Sequence, residues 1–375
     1  MAGGKNLAQK YSKTVDERFA RESQAMLALN NNYDFNGVDT VKVYSIPVVP
    51  MTDYTRSGLS RYGSPDDLQR NVQTLKVTKD RAFTFIIDRG DKLQSQMASD
   101  AGRALQRQLR EVWVPEYDAY VFRTLAASAT ASGNYSATAI TKSNAYEMFL
   151  KGMETLGNAS VPDEGRVCFC SYGFANLLKQ DSAFMRYGDS SQQMLSRGVI
   201  GEVDGCRIVK VPSSRLPAGA AFLIAHPLAA TGPKQLEDYK IHDDPPGVSG
   251  WLVEGRVVYD CFVLNEKARA IYYHGSQPVL KVLNVTTAPG ASGKSAVIVE
   301  PGALEGAKRY CVTAAAASGL TAATYGSAIT VANWTELTSN GAEITPSSGD
   351  TVVRVVEVDA ANKPIAMGDA VLNIG

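Results

Sequence analysis

The sequence predicts an α+β chain that ends in a separate all-β module. Three observations carry this. Residues 79–88 alternate apolar and polar, then run straight into a long helical stripe that meets a proline at Pro115. Short apolar strand signals at 166–170, 222–226 and 255–264 follow, mixed with helical stretches. After His274 the composition shifts to Val, Thr, Ala and Gly, with brief β-prone runs separated by turn signals.

In chain order, residues 11–29 read as a polar, weakly amphipathic helix. Val15, Phe19, Met26 and Leu29 are its apolar positions, and Asn30, Asn31 and Asn32 its stop. So polar a helix gains little by packing on its own domain. It suits an arm that docks on a neighbour, or else a frayed terminus. Residues 41–50 form a strand that ends before Pro50, and 51–73 are polar and rich in turn residues. A second strand runs from Val72 to Ile87. Two strands around so long a polar tip predict an extended hairpin, an excursion that a compact domain rarely leaves uncovered.

The long helix starts near Lys92. Leu93, Met97, Ala101, Leu105, Leu109 and Trp113 recur every four residues and give one apolar stripe. Pro115 removes a backbone donor and predicts a kink or restart, after which Tyr117, Tyr120, Val121 and Leu125 carry the apolar face to Ala127. A Ser/Thr/Gly-rich break at 128–138 leads to a helix at 143–156, a buried strand at 166–170, a helix at 173–179 and a polar loop at 180–198. Residues 201–209 form a tight turn between two strands, followed by strands at 222–226, 255–264 and 270–273. Runs at 280–286, 296–299, 310–313, 328–331, 352–358 and 370–374 then predict a small β-sandwich or barrel, for which a bacterial immunoglobulin-like domain is an analogy.

The 375 residues suffice for two or three domains, and a 45% apolar content supplies a full core. A formal net charge of zero argues against a dedicated nucleic-acid binder and permits a container that need not grip its contents. No apolar run reaches the roughly 18 residues that mark a membrane span. The N-terminus lacks the apolar stretch of a secretory signal, so the expectation is a protein made in a cytoplasm. Cys168, Cys170, Cys206, Cys261 and Cys311 are odd in number and dispersed, which fits reduced thiols.

Candidate chemistry is sparse. Residues 288–295, APGASGKS, fit a relaxed phosphate-loop pattern, but a helix must follow such a loop. The β-prone residues up to Pro301 argue against one, so nucleotide binding there is a remote alternative. Cys168 and Cys170 share one strand face without a second ligand pair, which favours packing over zinc. Ser190 and Ser191 sit in a polar loop with no strand-to-helix elbow. Asp66 with Asp67, and Asp243 with Asp244, lie beside prolines and read as turn caps. Arg103, Arg107, Arg110 and Arg123 alternate with Asp100, Glu111, Glu116 and Asp118, which predicts a solvated helix face with some pairing between subunits. No catalytic, cofactor-binding or metal residue is assigned.

The stretch 79–128, an alternating strand feeding the long helix through Val114-Pro115-Glu116-Tyr117-Asp118-Ala119-Tyr120, resembles the major capsid proteins of tailed bacteriophages with the HK97-type fold. The resemblance extends over about 11–274. It implies an N-terminal arm at 1–38, an extended loop at 39–88, a peripheral domain with the spine helix at 89–160 and 240–277, and an axial domain at 161–239. The β-module at 278–375 is an appendage. It further implies a subunit of an icosahedral head that closes into pentamers and hexamers around double-stranded DNA, located in the virion and assembled in the bacterial cytoplasm. Portal and scaffolding proteins are the implied partners, with no enzyme activity, cofactor or membrane. A tail-tube or baseplate protein is the alternative, one that would not need the long helix.

Overall fold

The computed structural model describes residues 23–30, 32–33, 40–45, 48–49, 51–57, 61–63, 71–89, 101–186, 201–247, 249–304 and 306–375. The start of the arm helix, the start of the long helix near Lys92, the Asp66–Asp67 pair and the Ser190–Ser191 loop lie outside these residues.

The first described element is one 3-10 turn, Ala25–Ala28, where the sequence suggested a helix running to Leu29. Strands β1 (Thr40–Ser45) and β2 (Asn71–Lys76) pair antiparallel, from Thr40 opposite Lys76 to Ser45 opposite Asn71, as the two sides of the expected hairpin. The second side is shorter than expected. The chain turns at Val77 and Thr78, and β3 (Lys79–Asp88) leaves for a different sheet. The charged run Lys79-Asp80-Arg81 interrupts the alternation just after this corner, but it carries no Gly or Pro that would mark a change of sheet.

The long helix is continuous over the described residues. α1 (Ala101–Gln108) passes through a π turn (Leu109–Trp113) into α2 (Val114–Ala131), and the Val114 N–H bonds to the Leu109 carbonyl. Pro115 therefore neither ends nor restarts the helix, because the wider turn before it accommodates the missing donor. A strict period of four gains about 40° per step on a 3.6-residue helix. The extra residue of the π turn offsets part of that drift, and α2 is buried on several faces, so Leu105, Leu109, Trp113, Tyr117, Val121, Leu125 and Ala129 are all buried.

Next come β4 (Tyr135–Ser136), α3 (Ala145–Asn158), β5 (Val167–Ser171), α4 (Tyr172–Gln180), α5 (Ser182–Arg186), β6 (Glu202–Val203), β7 (Cys206–Val211), β8 (Ala220–Ala225), β9 (Ala230–Thr231), β10 (Lys234–Asp243), β11 (Gly250–Tyr259), β12 (Phe262–Val263) and β13 (Ile271–Gly275). A six-stranded sheet in the order β4-β13-β8-β5-β7-β6 forms the centre of this region. Side chains alternate across it: Phe169, Leu223 and Tyr273 face α2, whereas Cys168, Cys170, Phe222, Ile224 and Tyr272 face α3 and α4. The result is a three-layer α/β/α body, which explains why β5 and β8 read as continuous apolar runs. Strand β13 lies inside this sheet, paired antiparallel with β8.

A second sheet, β10-β11-β3, covers α2 and the π turn from the side. Gly255 of β11 lies between Phe83 and Tyr239. A Cβ there would stand 2.4 Å from the Phe83 ring and 2.9 Å from Tyr239, so only glycine lets the aromatics of the two outer strands close over the middle one. Strand β10 was not anticipated. Its inward residues Tyr239 and Ile241 are interleaved with charges that occupy the outer face.

The remaining chain folds as β14 (Lys281–Val282), β15 (Asn284–Pro289), β16 (Ser295–Glu300), β17 (Lys308–Ala314), β18 (Thr335–Glu336), β19 (Ala342–Ile344), β20 (Val352–Val358) and β21 (Pro364–Val371). These form two sheets, β15-β16-β19 and β14-β21-β20-β17-β18, closed over a core that includes Val285, Val297, Val299, Cys311, Val353 and Val355. Consecutive β16 and β17 lie in opposite sheets and β17 pairs with β20, which is the strand arrangement of an immunoglobulin-type sandwich. The β-prone run at 328–331 is not a strand and leads into a 3-10 turn at Val331–Asn333.

Candidate assembly surface

Among the described residues the most exposed large apolar side chains lie on the extended hairpin. Met51 is fully exposed, Val48 is 93% exposed and Tyr62 86%, and Tyr44, Val49, Tyr54 and Val72 are also open. Such a patch marks a surface that another molecule covers. The tip has local order: the rings of Tyr54 and Tyr62 meet edge to face at 5.1 Å, and the Thr55 N–H donates to the Arg61 carbonyl.

The root of this hairpin is held firmly. Leu75 and Val77 are buried with Leu264, and Val41 and Val43 pack beside them. The Gln73 side chain donates to the Val263 carbonyl and accepts from the Asn265 N–H. Asp260, only 3% exposed, fixes the corner between β2 and β3. Its carboxylate accepts from the Thr78 N–H and hydroxyl at 2.9 Å each, from the Tyr120 hydroxyl at 2.6 Å and from the Cys261 N–H at 2.7 Å. Burial raises its pKa, and these donors act in the opposite direction. Beside it, burial lowers the pKa of Lys79, whose ammonium lies 5.4 Å from the Tyr120 ring centroid. Trp113, Tyr117, Tyr120 and Tyr259 form one aromatic cluster at the same level, with Trp113 and Tyr259 4.5 Å apart. The hairpin thus projects from a rigid block made of the long helix and the side sheet.

The root of the N-terminal arm is held by a second carboxylate. Asp118 is fully buried and accepts from the Ser23 hydroxyl at 2.6 Å, from the N–H groups of Gln24 and Ala25 at 3.2 Å each, and from Arg215 at 3.0 Å. Asn30 continues the attachment: its N–H donates to the Ala230 carbonyl and its side-chain amide to the Pro227 carbonyl. Residues 23–30 therefore belong to their own subunit's body, and any reach toward a neighbour begins before Ser23.

The charged face read along the long helix resolves into separate roles. Arg107 pairs with Glu111 on the helix itself, and Glu116 pairs with Arg81 of β3. Asp118 is not solvated at all. Its signal was present in the sequence, since it lies four residues from both Val114 and Phe122, in the middle of the apolar face. Asp260 carried no such signal, because its partners come from positions 78 and 120. Arg166 was also missed. It is buried and donates to the Met153, Val161 and Pro162 carbonyls, tying the end of α3 to β5.

Among the described residues the sequence's candidate chemistry does not assemble into a site. Residues 288–295 form a β-hairpin between β15 and β16, with Gly293 and Lys294 bonded to the C-terminal Gly375, so no helix N-terminus faces the loop. All five cysteines are buried, and burial raises the Cys168 and Cys170 thiols, the latter to about 12. Asp243 and Asp244 both pair with Arg89, and Asp244 also accepts from the Gly250 N–H, as a turn cap does. Among the described residues no group of three or more His, Cys, Asp or Glu could hold a metal ion, and no helix is long and apolar enough to cross a membrane.

Residues 69–274, more than half of the chain, match the family model described as phage capsid protein. No curated protein matches the sequence significantly. A solved structure from Mycobacterium phage Che8 aligns at a TM-score of 0.56 with 18% identity, over 68% of this chain and 91% of that one. The capsid structure of the cyanophage P-SCSP1u aligns at 0.50 with 12% identity, over 64% and 84%. At these identities the likeness is one of fold. The C-terminal sandwich lies beyond the end of the family match.

Proposed function

Since this chain belongs to the phage capsid protein family, as a major capsid protein of HK97 type forming the head shell, we propose that its copies close into pentamers and hexamers of an icosahedral shell around double-stranded DNA. Its role is structural, and the free energy of assembly comes from surface buried between copies. The observation that carries this is the extended hairpin, which bears bare apolar side chains such as Val48, Met51 and Tyr62 yet is held at its root by Asp260. A projecting strand pair anchored at its root presents its apolar side chains at a smaller ordering cost than a free loop would. A stable interface hides on the order of 1,200–2,000 Å², and a projecting hairpin adds contact area toward that figure. The near-neutral chain suits a wall that contains DNA without gripping it. Portal and scaffolding proteins complete the proposed set of partners, with assembly in the bacterial cytoplasm. The long helix and the family match set aside a tail-tube or baseplate part.

The test uses the hairpin tip. The double variant Val48→Glu with Met51→Glu changes two exposed residues, so subunit stability should stay within about 0.5 kcal/mol of wild type. Shell yield by sedimentation should fall at least ten-fold. Normal shells from this variant would show that the hairpin does not carry assembly.

A further inference from the structure

We propose that the C-terminal sandwich is an intramolecular splint that sets the angle at which the extended hairpin leaves the body. A two-stranded ribbon such as β1–β2 is marginal by itself and bends readily. Its last strand ends at Lys76, whose ammonium pairs at 2.7 Å with Glu300, the last residue of β16 in the sandwich. Two residues further, Thr78 is gripped from both sides. Asp260 of the body binds its N–H and hydroxyl, and Asn284 of the sandwich donates to its carbonyl at 3.4 Å. Lys79 donates back to the Asn284 side-chain oxygen at 3.5 Å. At the start of the sandwich, the Val279 N–H donates to the Thr130 hydroxyl on the last turn of α2. The sandwich therefore spans from the end of the long helix to the root of the hairpin.

The space enclosed by this span is a cleft of about 680 Å³. Lys76 lines it from the hairpin, Thr124 and Ser128 from the helix, and Lys281 and Asn340 from the sandwich. Swinging the hairpin root toward the helix would close this cleft, and swinging it away would break the Lys76–Glu300 pair. The sandwich has its own core, separate from those of the body, so it can act as a stiff strut. Its consequence for shell geometry rests on the capsid reading above; the splint itself is a property of a single subunit.

The experiment measures amide hydrogen exchange on unassembled full-length subunits. In Lys76→Glu, which sets two carboxylates against each other, peptides covering 71–79 should exchange about three- to five-fold faster, the scale of an exposed pair. Peptides from β5 and β8 should stay unchanged. The double reversal Lys76→Glu with Glu300→Lys should bring 71–79 back to within about two-fold of wild type. Asn284→Ala should reproduce the acceleration through the other contact. Exchange at 71–79 that ignores both Lys76→Glu and Asn284→Ala, or a reversal that fails to restore it, overturns the splint. Whether wild-type subunits go on to form shells is read separately by microscopy and bears only on the capsid assignment.

Discussion

Replacing Asp118 by alanine removes the acceptor for four donors that come from two distant parts of the chain, 23–25 and 215. Breaking a buried ion pair from one side costs about 3–5 kcal/mol, because the partner keeps its charge without compensation. Arg215 is 19% exposed, so water recovers part of that loss and the lower end, about 3 kcal/mol, is the expected figure. The loss falls on one attachment, so its clearest readout is local. The Asn30 amide, bonded to the Ala230 carbonyl just beyond the Asp118 contact, should exchange roughly 100-fold faster in Asp118→Ala, at about 1.36 kcal/mol per decade. Asp118→Asn keeps the shape and one carbonyl oxygen and should lie between the two. The assay is hydrogen exchange with fragment resolution, alongside limited proteolysis near Ser23. Wild-type protection of Asn30 in Asp118→Ala would refute the reasoning, since the arm root would then be held by something other than this carboxylate.

Two further predictions follow from buried groups. Burial lowers the pKa of His274, which stacks on Phe222; the Lys151 charge acts the same way, and the bond to the Thr138 carbonyl opposes both. A lowered value favours the neutral ring in the fold, so its contribution is complete above the unfolded value near 6.5 and is lost as pH falls through the folded value. Denaturant melts should lose stability as pH falls below about 6.5 in wild type, and His274→Phe should flatten that slope. In the sandwich, Gly368→Ala would place a Cβ 2.3 Å from the Leu283 carbonyl oxygen, a backbone clash that side-chain rotation cannot relieve. It should cost the module about 1–3 kcal/mol, read from Trp334 fluorescence, while the body's transition stays in place.

The parts of the fold that were legible in the sequence are those set by local periodicity. The alternation of β3, the four-residue stripe of the long helix and the change of composition after His274 each reflect side chains facing one neighbour throughout an element. What was hidden depends on partners far apart in the chain. The corner at Thr78 has no Gly or Pro to announce it, because it is held by the distant Asp260. Strand β10 was masked by the charges on its solvent face, and β13 looked like any other apolar run until its pairing with β8 placed it in the larger sheet. The assembly surface was half legible. A long polar tip between two strands announced a projection, but Asp118, which holds the arm, read as part of a solvated helix face, and Asp260, which holds the hairpin, drew no reading at all. Asp118 at an apolar-periodic position was the one clue that could have been used.

The central claim is that one copy of this chain is incomplete, its extended hairpin requiring sister copies to cover it. Electron microscopy of the purified full-length protein at high concentration tests this most directly. The account predicts closed shells or ring-shaped capsomers, with the hairpin lying on an adjacent subunit. A preparation that stays monomeric at every concentration, with Val48, Met51 and Tyr62 folded against their own body, would contradict it.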